Sequence, residues 1–193
     1  MVRLILFLLA RHNLWLRPLS WFTRFGHGLF ILYGLGAWFC PKNEKEQRKE
    51  RKERKTLLYC LFSVILASSV SWFIGKLWYR PRPFARGKGA ALVKHKANAS
   101  FPSNHAMNSM AVAIMLLLRR NLWGLPALAL SVILGVSRVL CRLHYVSDVL
   151  GGFVLGAGSG YAVYRSKRCS QLADRLLYGW HIFTYLLRVL LRR

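Results

Sequence analysis

The chain has 193 residues, 54% of them hydrophobic, and its 30 Lys and Arg against 6 Asp and Glu give a formal net charge of +24. A soluble nucleic-acid-binding domain could carry that charge, but not together with a series of long apolar runs separated by short basic ones. The composition therefore predicts an all-α integral membrane protein, folded as a single domain over residues 1–193: a helical bundle of five or six transmembrane helices plus an interfacial amphipathic helix.

MVRLILFLLAR opens the chain with a basic residue and a short apolar stretch. No small-residue cleavage site follows before Arg17-Pro18, so the segment is expected to be retained. Arg3, Arg11 and Arg17, with Trp15, Trp21 and Phe22 among leucines, predict an interfacial helix over residues 1–22 on the outer side. Apolar segments then run from Phe25 to Phe39, Thr56 to Gly75, His105 to Leu118, Leu122 to Leu140 and Val149 to Tyr164. Several are shorter than the roughly 20 residues of a perpendicular span, so their ends are expected to continue as helix into the interface. KNEKEQRKERKERK, residues 42–55, holds eight basic residues, and Arg119-Arg120 and Arg165–Arg168 mark two further junctions. An even number of spans separates each junction from the last, which places all three in the cytoplasm by the positive-inside rule. Lys76–Asn104 and Arg138–Ser147 then share the outer face. Gly152, Gly156 and Gly160, four apart, allow a neighbouring helix to approach closely. The tail, residues 170–193, reads as a second interfacial helix from its basic and aromatic pattern, with a sixth short span as the other reading. Cys40, Cys60, Cys141 and Cys169 stand in separate segments, which suggests neither a zinc site nor a disulfide framework.

The first outer stretch carries Lys76, Arg80, Arg82, Arg86, Lys88, Lys94 and Lys96, against the charge rule, so an anion is expected there. Glu44, Glu46, Glu50 and Glu53 belong to the cytoplasmic run and Asp174 to the tail, leaving Asp148 as the one acid on the outer side. An ionisable group at a membrane boundary is a functional candidate. His144 stands four residues earlier. A carboxylate accepting from one imidazole nitrogen would fix the tautomer and leave the other lone pair available as a base or nucleophile; the plainer alternative is a structural His–Asp hydrogen bond.

SFPSNHAMNS predicts an extended Phe101-Pro102, an N-cap at Ser103 and a helix carrying His105 in its first turn. Such a start offers the backbone amides of Asn104 and His105 and the Ser103 hydroxyl to a phosphate. In KLWYRPRPF, Pro81 and Pro83 stiffen the backbone around Arg82, and with Arg138 it supplies guanidinium groups suited to paired phosphoryl oxygens. The surplus cations Lys76, Arg80, Lys94 and Lys96 would face a further phosphate or anionic headgroups. The set describes phosphoryl transfer in two steps, with no cofactor and no metal, since a two-metal site needs several carboxylates in one place. Its pH profile is expected to be bell-shaped over roughly pH 5 to 8, where histidines titrate. His12, His27, His95 and His181 have no motif around them and read as interfacial or packing residues.

Arg82-Pro83 in RPRPF, Pro102-Ser103-Asn104-His105, and Ser137-Arg138 followed by His144 and Asp148 resemble the three signature motifs of the type 2 phosphatidic acid phosphatase family. The resemblance covers about residues 20–165. It implies that His144 attacks phosphorus, Asp148 orients it, His105 protonates the leaving oxygen, and Arg82, Ser103, Asn104 and Arg138 hold the phosphoryl oxygens. The family's lysine falls on Gly75 in this register, so either Lys76 reaches around or Arg80 takes its place; Asn104 stands where the family commonly has glycine. Within the family, the short chain, interfacial N-terminal helix, RPRPF segment and polar Asn104 resemble the bacitracin-resistance type of undecaprenyl diphosphatase. That implies hydrolysis of a long isoprenoid diphosphate to the monophosphate on the outer face of a bacterial inner membrane. A polyprenyl or other phospholipid substrate and anionic membrane lipids would be its partners, with no nucleic acid. A phosphatase for phosphatidylglycerophosphate, phosphatidic acid or lipid A is the alternative, and a non-catalytic binder of anionic lipids a second one.

Overall fold

The computed structural model describes residues 13–39, 47–87, 91–93, 95–96 and 98–191; Arg3, Arg11, His12, Cys40, Lys88 and Lys94 lie outside them. The described residues form seven α-helices and no strand. In chain order these are α1 (Asn13–Phe25), α2 (Gly28–Phe39), α3 (Gln47–Leu77), α4 (Asn104–Leu118), α5 (Gly124–Leu140), α6 (Val146–Arg165) and α7 (Lys167–Leu191), with a 3-10 turn at Pro83–Arg86. Helices α3 and α6 are long and apolar enough to cross a membrane, and α2, α4 and α5 are shorter apolar helices packed with them.

Two expected boundaries move. The basic run and the apolar segment after it form one unbroken helix, α3, whose 31 residues span about 46 Å at 1.5 Å per residue. That exceeds a hydrocarbon core of roughly 30 Å, and the basic turns are the part that extends beyond it. The N-terminal helix continues to Phe25, three residues past its expected end, and packs on α5.

Helix α4 is the hub, packed by α3, α5 and α6. Its Ala106, Met107, Ala111, Ala113 and Met115 are fully buried, and the glycine stripe of α6 explains why α6 comes so close. A Cβ at Gly156 would overlap the Met107 carbonyl oxygen, and one at Gly152 or Gly160 would sit 2.9 Å from the carbonyl oxygen of Ser103 or Ala111. Backbone thus rests on backbone from one end of α4 towards the other. Hydrogen bonds between Ser109 and Ser131 (2.8 Å) and between Asn108 and Ser68 (3.0 Å) pin α4 to α5 and α3. The bundle's perimeter is apolar, with Trp72, Phe73, Leu125, Ile133, Leu150 and Val154 exposed. Lipid accommodates such a surface; water does not.

The tail is a single helix that docks on the basic end of α3. Ala173 and Leu177 pack on Leu58, and Lys55 Nζ donates to Asp174 Oδ2 (2.7 Å) and Ser170 Oγ (3.1 Å). Its more distal residues Tyr178, His181 and Arg188 lie beside Glu50, Arg51 and Arg54 rather than along the apolar length of α3.

Candidate active site

The C-terminal ends of α3 and α5 and the N-terminal ends of α4 and α6 meet at one end of the bundle, and backbone hydrogen bonds tie their loops together. Ser100 N–H donates to the Arg80 carbonyl (2.7 Å), Ser103 N–H to the Asp148 carbonyl (3.0 Å) and Leu92 N–H to the Cys141 carbonyl (3.3 Å). The Phe101-Pro102 peptide is cis, and Arg142, at φ 59°, takes the left-handed conformation that turns the chain from α5 towards His144.

His144 is 3% exposed. Its Nδ1 lies 2.8 Å from the Ser100 carbonyl oxygen, which accepts only if Nδ1 carries the proton. Nε2 then presents its lone pair, 2.9 Å from Arg82 Nη1. The expected partner, Asp148, is 3.7 Å from Nδ1, beyond hydrogen-bond length. The segment from His144 to α6 is not helical, so the carboxylate acts on the ring through its charge while a backbone carbonyl fixes the tautomer. Burial, reinforced by the charges of Arg82 and Arg138, outweighs the pull of Asp148 and the Ser100 carbonyl and lowers His144 to about 4. The ring is therefore neutral near pH 7.

Arg82, 5% exposed, is held from several sides: Nε donates to Asn98 Oδ1 (3.1 Å), Nη1 to the Leu143 carbonyl (3.0 Å) and Nη2 to the Ala99 carbonyl (3.4 Å). Burial lowers it to about 10, so it stays charged. Arg138 is 2% exposed. Its Nη1 donates to the Thr23 carbonyl (2.7 Å), while Nε and Nη2 are buried with no partner among the described residues. Ser103, the N-cap of α4, is fully buried and its hydroxyl is likewise without a partner, including the helix it caps. Buried donors left in this way are rare in folded proteins. Those three atoms, with the first-turn amides of α4, which have no intrahelical acceptors, offer an array of donors for an anion.

Asp148 is fully buried. It accepts from Ser100 Oγ, from Tyr145 N–H (2.9 Å) and from Arg80 Nη1 (2.6 Å), and Arg80 also reaches Ser147 Oγ (2.8 Å) and stacks on Tyr145, 4.2 Å from the ring centroid. Arg80 is therefore engaged with Asp148. Lys76 is exposed and its ammonium lies over Trp72, 5.8 Å from the ring centroid. The preceding Gly75 is the position whose Cβ would face Ala99, at 3.5 Å. The one-residue offset has turned the lysine away from the loop cluster.

His105 stands in the first turn of α4 and meets the ring of His27 edge to face, with centroids 4.9 Å apart. Both histidines, with Asn104, line a cavity of about 310 Å³ whose remaining walls include Phe30, Ile31, Val64 and Val112.

All of Arg82, Ser103, Asn104, His105, Arg138, His144 and Asp148 gather at this end of the bundle. Thr23, Asn98 and Ser100, which the sequence did not single out, and His27, read there as an interfacial or packing residue, also contact these side chains. Their contacts cross long sequence separations, and no local pattern marks them.

Residues 56–171 match the PAP2 superfamily. Undecaprenyl-diphosphatase BcrC of Bacillus subtilis is 29% identical over 81% of this chain and 78% of its own length. Decaprenylphosphoryl-5-phosphoribose phosphatase of Mycobacterium tuberculosis is 33% identical over 76% of each chain. Among solved structures, a transmembrane PAP2 type phosphatidylglycerolphosphate phosphatase from Bacillus subtilis superposes with a TM-score of 0.50 at 25% identity, covering 77% of this chain and 73% of that one.

Proposed function

The chain belongs to the PAP2 superfamily and is a membrane phosphatase; from that premise we propose that it hydrolyses a long-chain isoprenoid diphosphate, undecaprenyl diphosphate, to the monophosphate. The site opens on the extracytoplasmic face of a bacterial inner membrane. The orientation follows from the basic end of α3, which belongs on the cytoplasmic side. The single observation that carries the chemistry is the trio of unpartnered buried donors, Ser103 Oγ and Arg138 Nε and Nη2, beside a histidine whose tautomer is fixed.

The terminal phosphoryl group sits against Arg138, Ser103 and the first amides of α4, and Arg82 turns its Nη1 from His144 to a phosphoryl oxygen. His144 Nε2 attacks phosphorus; the P–N bond forms as the P–O bond to the lipid phosphate breaks, and His105, protonated from solvent when the anionic diphosphate comes beside it, gives that proton to the leaving oxygen. Water then attacks the phosphohistidine, gives a proton to His105 and releases inorganic phosphate, which restores both rings. Asp148 keeps the growing positive charge on His144 compensated. The apolar cavity beside His105 lies on the side of the leaving group, as a lipid chain requires.

The relationship to an undecaprenyl-diphosphatase favours the prenyl substrate, and likeness to a phosphatidylglycerolphosphate phosphatase makes a glycerolipid the second reading. Purified protein offered undecaprenyl diphosphate, phosphatidylglycerophosphate and phosphatidic acid in parallel, with released phosphate measured, separates the two. Preference for either glycerolipid overturns the prenyl assignment.

A further inference from the structure

We propose that the last turn of α1 and the turn joining it to α2 are a working part of the site, in which Thr23 positions Arg138 and His27 positions His105. The inference rests on the phosphatase reading above and adds a segment that none of the three motifs contains.

Thr23 is fully buried. Its carbonyl accepts from Arg138 Nη1 at 2.7 Å, its hydroxyl lies 3.4 Å from the same nitrogen, and that hydroxyl also accepts from Ser137 Oγ at 3.1 Å. These contacts occupy Nη1 and leave the Nε and Nη2 edge of the guanidinium open. That edge is one of the forks that can take two phosphoryl oxygens at once. Thr23 thereby decides which side of Arg138 faces the substrate.

Three residues on, Gly26 makes the turn: its N–H donates to the Phe22 carbonyl at 2.7 Å, and a Cβ there would come within 2.7 Å of the same oxygen and 3.0 Å of the Phe22 ring. The turn delivers His27 edge-on to His105. His27 is the residue in ring contact with His105. An imidazole at the first turn of a helix can rotate about χ2, which has broad minima. The edge-to-face contact limits that rotation and keeps one ring nitrogen directed at the leaving oxygen, as proton transfer demands.

The test uses full-length protein in detergent with two readouts: orthovanadate affinity by titration calorimetry, and steady-state hydrolysis of undecaprenyl diphosphate. Thr23→Val is expected to raise both the vanadate Kd and KM by about tenfold, with kcat changing less, and Thr23→Ser to restore them. His27→Ala is expected to lower kcat by about tenfold with KM and vanadate affinity nearly unchanged, and His27→Phe, which returns a ring against His105, to recover most of the loss. Wild-type values in both Thr23→Val and His27→Ala overturn the inference while leaving the phosphatase reading intact. So does a collapse of every parameter that neither Thr23→Ser nor His27→Phe repairs, because a generic folding role would do the same. If the wild type binds vanadate but releases no phosphate, the phosphatase reading falls; weaker vanadate binding by Thr23→Val would still support the Thr23 assignment.

Discussion

Lowering the pH should destabilise this protein through His144, and the size of the effect follows from the ring's surroundings. The folded ring titrates at about 4 against 6.5 for an unperturbed imidazole, a gap of 2.5 units, or about 3 kcal/mol at 1.36 kcal/mol per unit. Because the folded value is the lower one, the unfolded chain binds the proton more tightly between pH 6.5 and 4. Stability is therefore full above pH 6.5, is lost as the pH falls towards 4, and is short by the whole amount below that. Carboxylates titrate in the same window, so the measurement compares wild type with His144→Gln, whose amide can still donate to the Ser100 carbonyl and accept from Arg82. Between pH 7.5 and pH 3.5 the wild type should lose about 3 kcal/mol more than the variant, roughly 6–12 °C in melting temperature for a chain of this size. Parallel pH profiles for the two proteins would refute the reasoning. The same shift acts on turnover: the acid limb set by the nucleophile should fall near pH 4 rather than inside the window of roughly pH 5 to 8 that free histidines suggest.

His144→Ala and His105→Ala should each abolish phosphate release while the protein remains folded and inserted, as judged by circular dichroism and gel filtration. Arg80→Gln removes the guanidinium bonded to the buried Asp148 carboxylate; since Arg80 is partly exposed, about 1–2 kcal/mol of stability should be lost, with kcat reduced more than KM, and denaturant titration with kinetics checks both. Gly156→Ala drives a Cβ into the Met107 carbonyl and should cost about 1–3 kcal/mol, displacing the start of α4 and activity with it. Gly158→Ala, with open space around its Cβ, should stabilise α6 by up to about 1 kcal/mol; thermal melts of that pair check the contrast.

The helical segments were legible because apolar length is a local signal, and the glycine stripe because its spacing of four is written in the chain. The spans were expected to run on as helix into the interface, but α3 was not expected to take in the basic run without a break. Its basic turns and its span share helix-forming residues, so nothing between Arg54 and Thr56 stops the helix. The motif histidines, arginines and serine were readable from residue type next to proline and glycine punctuation. What could not be read was how they are held. The tautomer of His144 is set by the carbonyl of Ser100, and any residue at 100 would supply one. Arg80 became the partner of Asp148 only through the fold, and Lys76 missed the loop cluster by one helical step.

The contact of Arg82 with His144 also bears on what this enzyme does between substrates. If His144 is the nucleophile, as proposed above, its idle ring would be open to any stray electrophile. Here a guanidinium N–H rests on the very lone pair that would react and leaves it only for something more negative than imidazole. On that reading the warhead stays sheathed until an anion draws the sheath aside, and reactivity waits on the arrival of the right cargo.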